Sequence, residues 1–468
     1  MAICRRLSDA AANLTLVPHC TTREADICNE QGKCMHELIV VGGGAAGLEL
    51  VTKLGDTIGK TQRANVTLVD RTRTHLWKPL LHAVAAGSLD SGEHELNYLA
   101  QSKWHHFNYR YGALSGLDRA NKRIKVAATY DEEGRQITPD RSFPYDTLVI
   151  SVGSITNDFG TPGAAEHAVP LETLEQARRF NRRLLNACVR ASTQGEPVRP
   201  GQLHIAVIGA GATGTELAAD LHRTVRDVIS YGLDNIDVDR DIHIVLIEAA
   251  PRVVPALPER ISRRVSEILL SRGVEVRTGA RVTEVTKLGV TLAGGEFIAA
   301  ELVVWAAGVK APEVLSKLDG LEVNRINQLV VLPTLQTTHD PDIFAIGDCA
   351  SCPLFGRQGT VPPRAQAAHQ QATHLAKQLQ RRLLGQSLEP YKYRDFGSLV
   401  TLGTYQTVGN LMGNLGGRNL FVEGLIARLM YRSLYKMHEA ALHGFGRAVA
   451  RAVVGSLGRR RGPEVKLH

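Results

Sequence analysis

The stretch Ile39-Val40-Val41-Gly42-Gly43-Gly44-Ala45-Ala46-Gly47-Leu48-Glu49-Leu50 decides the fold. An apolar run leads into Gly42, Gly44 and Gly47 in G-x-G-x-x-G spacing, and a helix-forming stretch follows. Residues 205–217, IAVIGAGATGTEL, repeat the arrangement with Gly209, Gly211 and Gly214, 167 residues further on. In such a loop the first glycine permits the tight turn and the second lets backbone approach a pyrophosphate. The third lets helix pack on strand, and the helix N-terminus faces the phosphate charge. A glycine loop by itself is often only a turn; the strand before it and the helix after it give it meaning. One loop suggests one dinucleotide. Two suggest a protein that holds two face to face, a flavin and a nicotinamide.

Each loop has an acidic partner. NVTLVD reads as a second strand ending in Asp70, 28 residues beyond Gly42. IHIVLIE ends in Glu248, 39 residues beyond Gly209, and YGLDNIDVDRD looks like an insertion before it. An acid at that strand end hydrogen-bonds a ribose hydroxyl. Glu248 would repel a ribose 2′-phosphate and so favours NADH over NADPH; Arg252, close behind it, pulls the other way.

The chain has 468 residues, enough for two or three domains with a substantial core. Its 44% hydrophobic and 22% charged content is ordinary for a globular protein. No apolar run approaches the length of a spanning helix, and the N-terminus lacks the basic-then-apolar pattern of an export signal. Residues 1–34 carry Cys4, Cys20, Cys28 and Cys34 at spacings that match no metal site. They read as a disordered extension, or as a start placed too early with Met35 the working start. The other cysteines are Cys188, Cys349 and Cys352, and the reduced cytosolic state is the default for them.

The net charge is +8, and residues 424–468 alone hold nine Lys or Arg against Glu439 and Glu464. The basicity is therefore a terminal patch, and a nucleic-acid surface is not needed to explain it. In residues 421–445 apolar side chains recur at Phe421, Leu425, Leu429, Met430, Leu434, Met437 and Ala441. Arg428, Arg432, Lys436, Glu439 and His443 fall on another face. Phe445, Val449, Val453 and Leu457 repeat the pattern against Arg447 and Arg451, before Arg459, Arg460 and Arg461. Apolar on one face and basic on the other is the pattern of a helix lying in a membrane interface, or of a core-facing helix with a solvated side. The cation bias favours the membrane.

The remaining punctuation gives the domain order. Strand DTLVISVGS runs into Gly153, where backbone would approach a ligand. The Gly- and Pro-rich residues 158–170 mark a crossing between domains. The second unit ends in ELVVWAAGVKAP at Gly308, and TTHDPDIFAIGDCA brings Gly347 and Asp348 before a proline-opened helix. The expected architecture is α/β, with two Rossmann-like dinucleotide-binding domains and C-terminal amphipathic helices. Residues 35–160 and 320–400 form a discontinuous FAD domain, 165–318 the NADH domain and 401–468 a membrane-binding region, after the extension 1–34.

With both fingerprints, IGDCA, AQAAHQQA and the basic amphipathic tail, the chain resembles the bacterial type II NADH dehydrogenases, single-subunit, non-pumping NADH:quinone oxidoreductases of the respiratory chain. The resemblance runs from about residue 36 to the C-terminus. TGTELAADLH, VWAAGVKAP, TLQTTHDPDIFAIGDCASCP and PPRAQAAHQQA carry it most specifically. It implies noncovalent FAD, NADH as donor, and a membrane quinone (ubiquinone or menaquinone) as acceptor. It also implies a peripheral place on the cytoplasmic face of the bacterial inner membrane, among surface lipids, and leaves a homodimer open. By resemblance, Gly42, Gly44, Gly47, Asp70, Gly347 and Asp348 match the FAD site, and Gly209, Gly211, Gly214 and Glu248 the NADH site. Glu216 matches a glutamate near the nicotinamide. Gln366 and Gln370 match positions lining the quinone pocket, and Ala365 and Gln366 open a helix whose amides face the reduced flavin. His369 is either a proton donor to quinone or a packing residue.

Three other readings share parts of this pattern. A disulfide reductase needs a cysteine pair after the FAD loop, and no cysteine lies between Cys34 and Cys188. A sulfide:quinone oxidoreductase-like flavoprotein, or another membrane-associated pyridine-nucleotide flavin reductase, stays closer. Cys349 and Cys352 form C-x-x-C, open to a redox, metal or packing role. A membrane-surface scaffold with an inert nucleotide fold is the reading from outside enzymology.

Overall fold

The computed structural model describes residues 35–233, 235–402, 406–412 and 419–424, and the single positions 427, 429, 430, 433 and 442. From the N-terminal side come β1 (His36–Val41), α1 (Ala45–Leu54), β2 (Ala64–Asp70), α2 (Leu81–Ala86), β3 (Asn108–Tyr111) and β4 (Thr147–Ile150). A second series follows: β5 (Val169–Pro170), α3 (Leu174–Thr193), β6 (His204–Ile208), α4 (Ala212–Ser230), β7 (His243–Glu248), α5 (Glu259–Ser271), β8 (Val274–Thr278) and β9 (Leu302–Trp305). Then come β10 (Gln336–Thr337), β11 (Asp340–Ala345), α6 (Ala365–Arg382), β12 (Ser398–Leu402), β13 (Gln406–Met412) and β14 (Asn419–Glu423).

The first sheet has the order β10-β11-β4-β1-β2-β3, and the second β5-β9-β6-β7-β8. Their central strands are short Val, Leu and Ile runs because helices or neighbouring elements cover both faces. Val40 stands between Leu68 and Val149, and Val207 between Leu246 and Val304, all in parallel register. β11 lies parallel to β4, Phe344 opposite Val149, so the chain returns to the first sheet after building the second. Thr173 caps α3 by accepting from the Gln176 amide, and the Gln176 carboxamide oxygen accepts from the Thr173 amide. This reciprocal cap sets where the long helix starts after the crossing.

α2 belongs to the first series but packs its Leu81, Val84 and Ala85 into the core of the second, with Phe180 of α3 and Leu217 of α4. Val400, Leu402 and Val408 from the antiparallel sheet β12-β13-β14 join the same core. Glu216 therefore sits where three parts of the chain meet.

Two features depart from the helical reading of the tail. Phe421, read as the first apolar residue of an amphipathic helix, lies in β14 opposite Asn410. Gly424, at φ +74°, ends that strand, and its amide donates to Thr407 O at 3.0 Å. Ala427, Leu429, Met430, Ser433 and Leu442 are helical. Leu442 is buried in the first core, whereas Leu429 is 57% exposed. The other tail positions, the arginines 459–461, the extension 1–34 and its four cysteines lie outside the described residues.

Candidate functional site

The two glycine loops are built alike, atom for atom. Gly42 has φ +99° and Gly209 φ +98°, a left-handed conformation that side chains rarely adopt. The Gly42 amide donates to Val69 O at 2.8 Å, and the Gly209 amide to Ile247 O at 2.7 Å. A Cβ on Gly47 would lie 1.8 Å from Gly42 O, and one on Gly214 2.0 Å from Gly209 O. The third glycine of each loop thus seats helix on turn. Gly44 and Gly211 are different: a Cβ on either meets nothing within 4 Å. Each opens onto free space at the N-terminus of α1 or α4, where neither cap residue supplies a side-chain acceptor. Backbone amides facing open space at a helix start suit a pyrophosphate, so the residues present fit two dinucleotides, one per unit.

The acidic residues repeat the symmetry. Asp70 Oδ2 accepts from the Gly43 amide at 2.6 Å, and Glu248 Oε2 from the Ala210 amide at 2.7 Å. Asp70 Oδ1 is further held by Thr72, and Glu248 Oε1 by the Ala250 amide at 2.8 Å. Arg252 does not reach back to Glu248 in hydrogen bonding; it donates to Pro255 O at 2.9 Å. Arg252, Glu259, Ser262, Arg263, Val276 and Thr278 line an open pocket of about 430 Å³ between α5 and β8. Sequence reading missed Tyr98, buried, whose hydroxyl donates to Gly43 O at 2.7 Å and braces the first loop.

Ser154 links the far ends of the first unit. Its hydroxyl donates to Asp348 Oδ2 at 2.9 Å, and Lys78 Nζ donates to Ser154 O at 3.0 Å. Gly153 and Gly347 flank this contact at φ +71° and +75°. The Gly347 amide donates to Oε1 of buried Gln371 at 2.7 Å, tying α6 to the Gly347–Asp348 turn. Gly308 stands apart from that turn; a Cβ there would strike the ring of Phe159 at 2.4 Å.

α6 opens at Ala365, with Arg364 as a cap residue lacking a side-chain acceptor. Gln366 and Gln370 share one face of it, and both carboxamides are turned to the following segment. Gln366 donates to Asp395 Oδ1 at 3.2 Å and Gly397 O at 3.1 Å, and accepts from the Phe396 amide. Gln370 donates to Arg394 O at 2.8 Å and accepts from the Arg394 amide at 3.0 Å. His369 faces α1 instead, Nδ1 2.6 Å from Oε2 of Glu49. Glu49 is fully buried, and Lys53 and Thr373 hold its other oxygen. The signal for that pair was an acidic residue inside the apolar run GLELV.

Glu216 is buried on α4. Its Oε1 accepts from the Thr401 amide of β12 at 3.0 Å, and its Oε2 lies 3.4 Å from His82 Nδ1. Asp220 Oδ2, one helical turn on, lies 3.6 Å from His82 Nε2. Burial pushes the Glu216 carboxyl up to about 7, with Asp220 adding in the same direction and His82 and the Thr401 amide opposing. Sequence reading missed His82 and Asp220, although a histidine inside the apolar run LLHAVAA was the available sign. Cys349 and Cys352 are both buried, and burial pushes each thiol up to about 12. Thiols shifted in that direction are poor nucleophiles, which disfavours a redox role. Among the described residues no group of three or more His, Cys, Asp and Glu side chains is placed to hold a metal ion.

Two open glycine cradles on paired Rossmann-like sheets define a flavin- and pyridine-nucleotide-dependent reductase. Residues 36–372 match the pyridine nucleotide-disulphide oxidoreductase family, to which the chain belongs. Within that family it is a member of the type II NADH:quinone oxidoreductases. It is 43% identical to the Haemophilus influenzae enzyme of that name over 447 residues, covering 93% of this chain and 100% of that protein. The Mycobacterium tuberculosis enzyme is 29% identical, with 80% of each chain covered. In fold, the chain is similar to NDH2 from Plasmodium falciparum in complex with NADH, at a TM-score of 0.75 and 19% identity, covering 92% of this chain and 100% of that one. The sulfide:quinone oxidoreductase of Aquifex aeolicus shares the fold at a TM-score of 0.68 and 16% identity, covering 92% and 98%.

Proposed function

We propose that this chain oxidises NADH and reduces a membrane quinone without moving protons across the membrane. Residues 35–160 and 320–400 hold FAD, and residues 165–318 hold NADH. The observation that carries this reading is the duplicated cradle, with Gly44 and Gly211 each open toward a ligand. Bound FAD would supply the two-electron redox chemistry between NADH and quinone.

The chain's own residues bind, orient and supply a proton. Gly42, Gly44 and Gly47 hold the FAD pyrophosphate, Asp70 its ribose, and Asp348 with Gly153 and Gly347 the stretch toward the flavin. Gly209, Gly211 and Gly214 hold the NADH pyrophosphate, with Gly308 beside it. Glu248 takes the NADH ribose, and the cavity at Arg252 takes the adenosine end. The start of α6 at Ala365 would stabilise negative charge on the reduced flavin through its amides and dipole. Gln366 and Gln370 shape the quinone side by fixing residues 394–397. The reaction, NADH + quinone + H⁺ → NAD⁺ + quinol, consumes one proton. Glu216 is assigned to give it: its carboxyl is buried two residues beyond Gly214, between the Thr401 amide and His82, and burial raises it toward the protonated form.

The tail would hold the enzyme peripherally on the cytoplasmic face of the membrane, its cations on anionic lipid headgroups. Among the described residues no helix is long and apolar enough to cross a membrane.

Anaerobic mixing tests the reading. NADH should bleach the bound flavin, a quinone should restore its colour, and NADPH should bleach it far more slowly. Glu248→Gln should narrow the gap by about tenfold or more, since like charges brought together cost several kcal/mol. Equal rates with NADPH in the unmodified enzyme would show that Arg252 overrides Glu248.

A further inference from the structure

His82 stands where the two series of elements meet. It lies on α2, in the first series, yet it is buried against α4 of the second. Its two ring nitrogens face two different carboxylates, Nδ1 toward Glu216 at 3.4 Å and Nε2 toward Asp220 at 3.6 Å. The Ser88 hydroxyl lies 3.4 Å from Asp220 Oδ2 and 3.2 Å from Ala83 O, and its one proton can go to either acceptor. Ser88 is half-buried, whereas the three ionisable groups are almost wholly buried. The four residues thus form a line from the protein surface to the Glu216 carboxyl. Imidazole suits the middle of such a line. A proton arriving on one nitrogen releases the proton held on the other.

We propose that His82 relays protons from the Ser88–Asp220 end to Glu216, and that Asp220 orients its ring for that transfer. The proposal rests on the proton-donor role given to Glu216 above. In each turnover the O–H bond of Glu216 breaks as a quinol O–H bond forms. The carboxylate left behind takes the Nδ1 proton of His82, a proton from water enters at Nε2 past Asp220 and Ser88, and tautomer exchange returns the ring proton to Nδ1 before the next turnover. The electrons come from NADH, so the relay itself is redox-neutral. His82 acts through Glu216 and needs no contact with quinone.

The groups acting on the Glu216 carboxyl are His82 from α2, Asp220 from its own helix and the Thr401 amide from β12. Arg272, just past α5, is attracted by Asp220 and repelled by Arg223. Removing the imidazole removes an attraction for the Glu216 carboxylate, so the carboxyl should titrate higher. Removing the Asp220 charge should move it lower.

The test uses the full-length, FAD-loaded enzyme and three variants, Glu216→Gln, His82→Ala and Asp220→Asn. Two measurements are made across pH: the rate at which a soluble short-chain quinone reoxidises the reduced enzyme, and the infrared carbonyl band of the protonated Glu216 carboxyl, assigned by its loss in Glu216→Gln. His82→Ala should slow quinone reduction by about tenfold or more, the scale of proton-transfer catalysis. It should raise the infrared midpoint above about 7. Free imidazole in the buffer should restore much of the rate by entering the vacated space. Asp220→Asn should slow the same step and lower the midpoint, and it serves where His82→Ala fails to hold FAD. Unchanged rate and midpoint in the folded variants, with no response to imidazole, would overturn the relay. If Glu216→Gln alone slows quinone reduction, the donor role stands and the relay falls. If Glu216→Gln changes nothing, both fall.

Discussion

Gly44 and Gly47 lie three residues apart in one loop, yet an added methyl group meets opposite surroundings at the two. At Gly44 it points into open space, the space a phosphate would need; at Gly47 it strikes the carbonyl of Gly42. Gly44→Ala should therefore leave the fold intact and empty the protein of FAD. Gly47→Ala should cost about 2 kcal/mol of stability, the usual scale of overpacking. Flavin absorbance and thermal unfolding of both variants check this; a Gly44→Ala protein with full flavin would refute it. Glu216 adds a pH dependence with a fixed sign. Its folded-state value of about 7 exceeds the ordinary 4.5, so between those values the folded protein holds a proton the unfolded chain has released. Stability should fall as pH rises through that window, by up to about 3 kcal/mol, and Glu216→Gln should flatten the slope. Chemical denaturation at about pH 5 and about pH 8 measures it. The glycines and their acids were legible because local spacing alone fixes a strand–turn–helix. His82, Asp220 and Glu49 were not, because their partners lie on other helices and only tertiary packing brings them together.

Among the elements, α6 has two tasks. Gln371 holds the Gly347 amide and His369 meets Glu49 of α1, and these two contacts fix the helix to the first unit. Gln366 and Gln370 hold the backbone of residues 394–397. Glutamine suits this use, since one carboxamide donates and accepts at once and imitates a strand neighbour. Gln366→Ala should free Phe396 and Gly397 and slow quinone reduction by about tenfold, consistent with about 1.4 kcal/mol of lost positioning. Flavin bleaching by NADH should fall much less. Stopped-flow measurement of the two half-reactions decides; equal losses would place these residues away from the quinone side. The helix itself was readable from the proline opening and the Ala- and Gln-rich run. Its contacts were not, and the tail shows the same limit. FVEG can begin a helix or end a strand, and pairing with Asn410 of β13, eleven residues back, makes Phe421 a strand residue.

At the scale of the whole molecule, charge and apolar surface are separated along the chain. Nearly all the net positive charge lies beyond residue 423, while the nucleotide-binding units carry close to none. A basic, periodic segment attached to a nearly neutral body suits an interface anchor: apolar side chains enter the acyl boundary and cations stay with the headgroups. A spanning helix would have to bury those cations, at a cost the periodic pattern does not offset. Leu429, exposed on the helix after β14, is on this account a lipid-facing residue, whereas Leu442 returns to the first core. The anchor must therefore be removed without cutting β14, which pairs with β13 through Asn419–Glu423. Truncation after Gly424 should release the protein from anionic vesicles and lower activity with long-chain quinones. Reduction of small soluble acceptors should survive better, because the proposed FAD and NADH sites lie N-terminal to the cut. Loss of Leu442 should lower the melting temperature, so flavin content is measured alongside binding. Raised salt should loosen the full-length enzyme only in part, since screening weakens the headgroup contacts and leaves apolar burial intact. A truncated protein that keeps its flavin and still sediments with vesicles would place the anchor elsewhere in the chain.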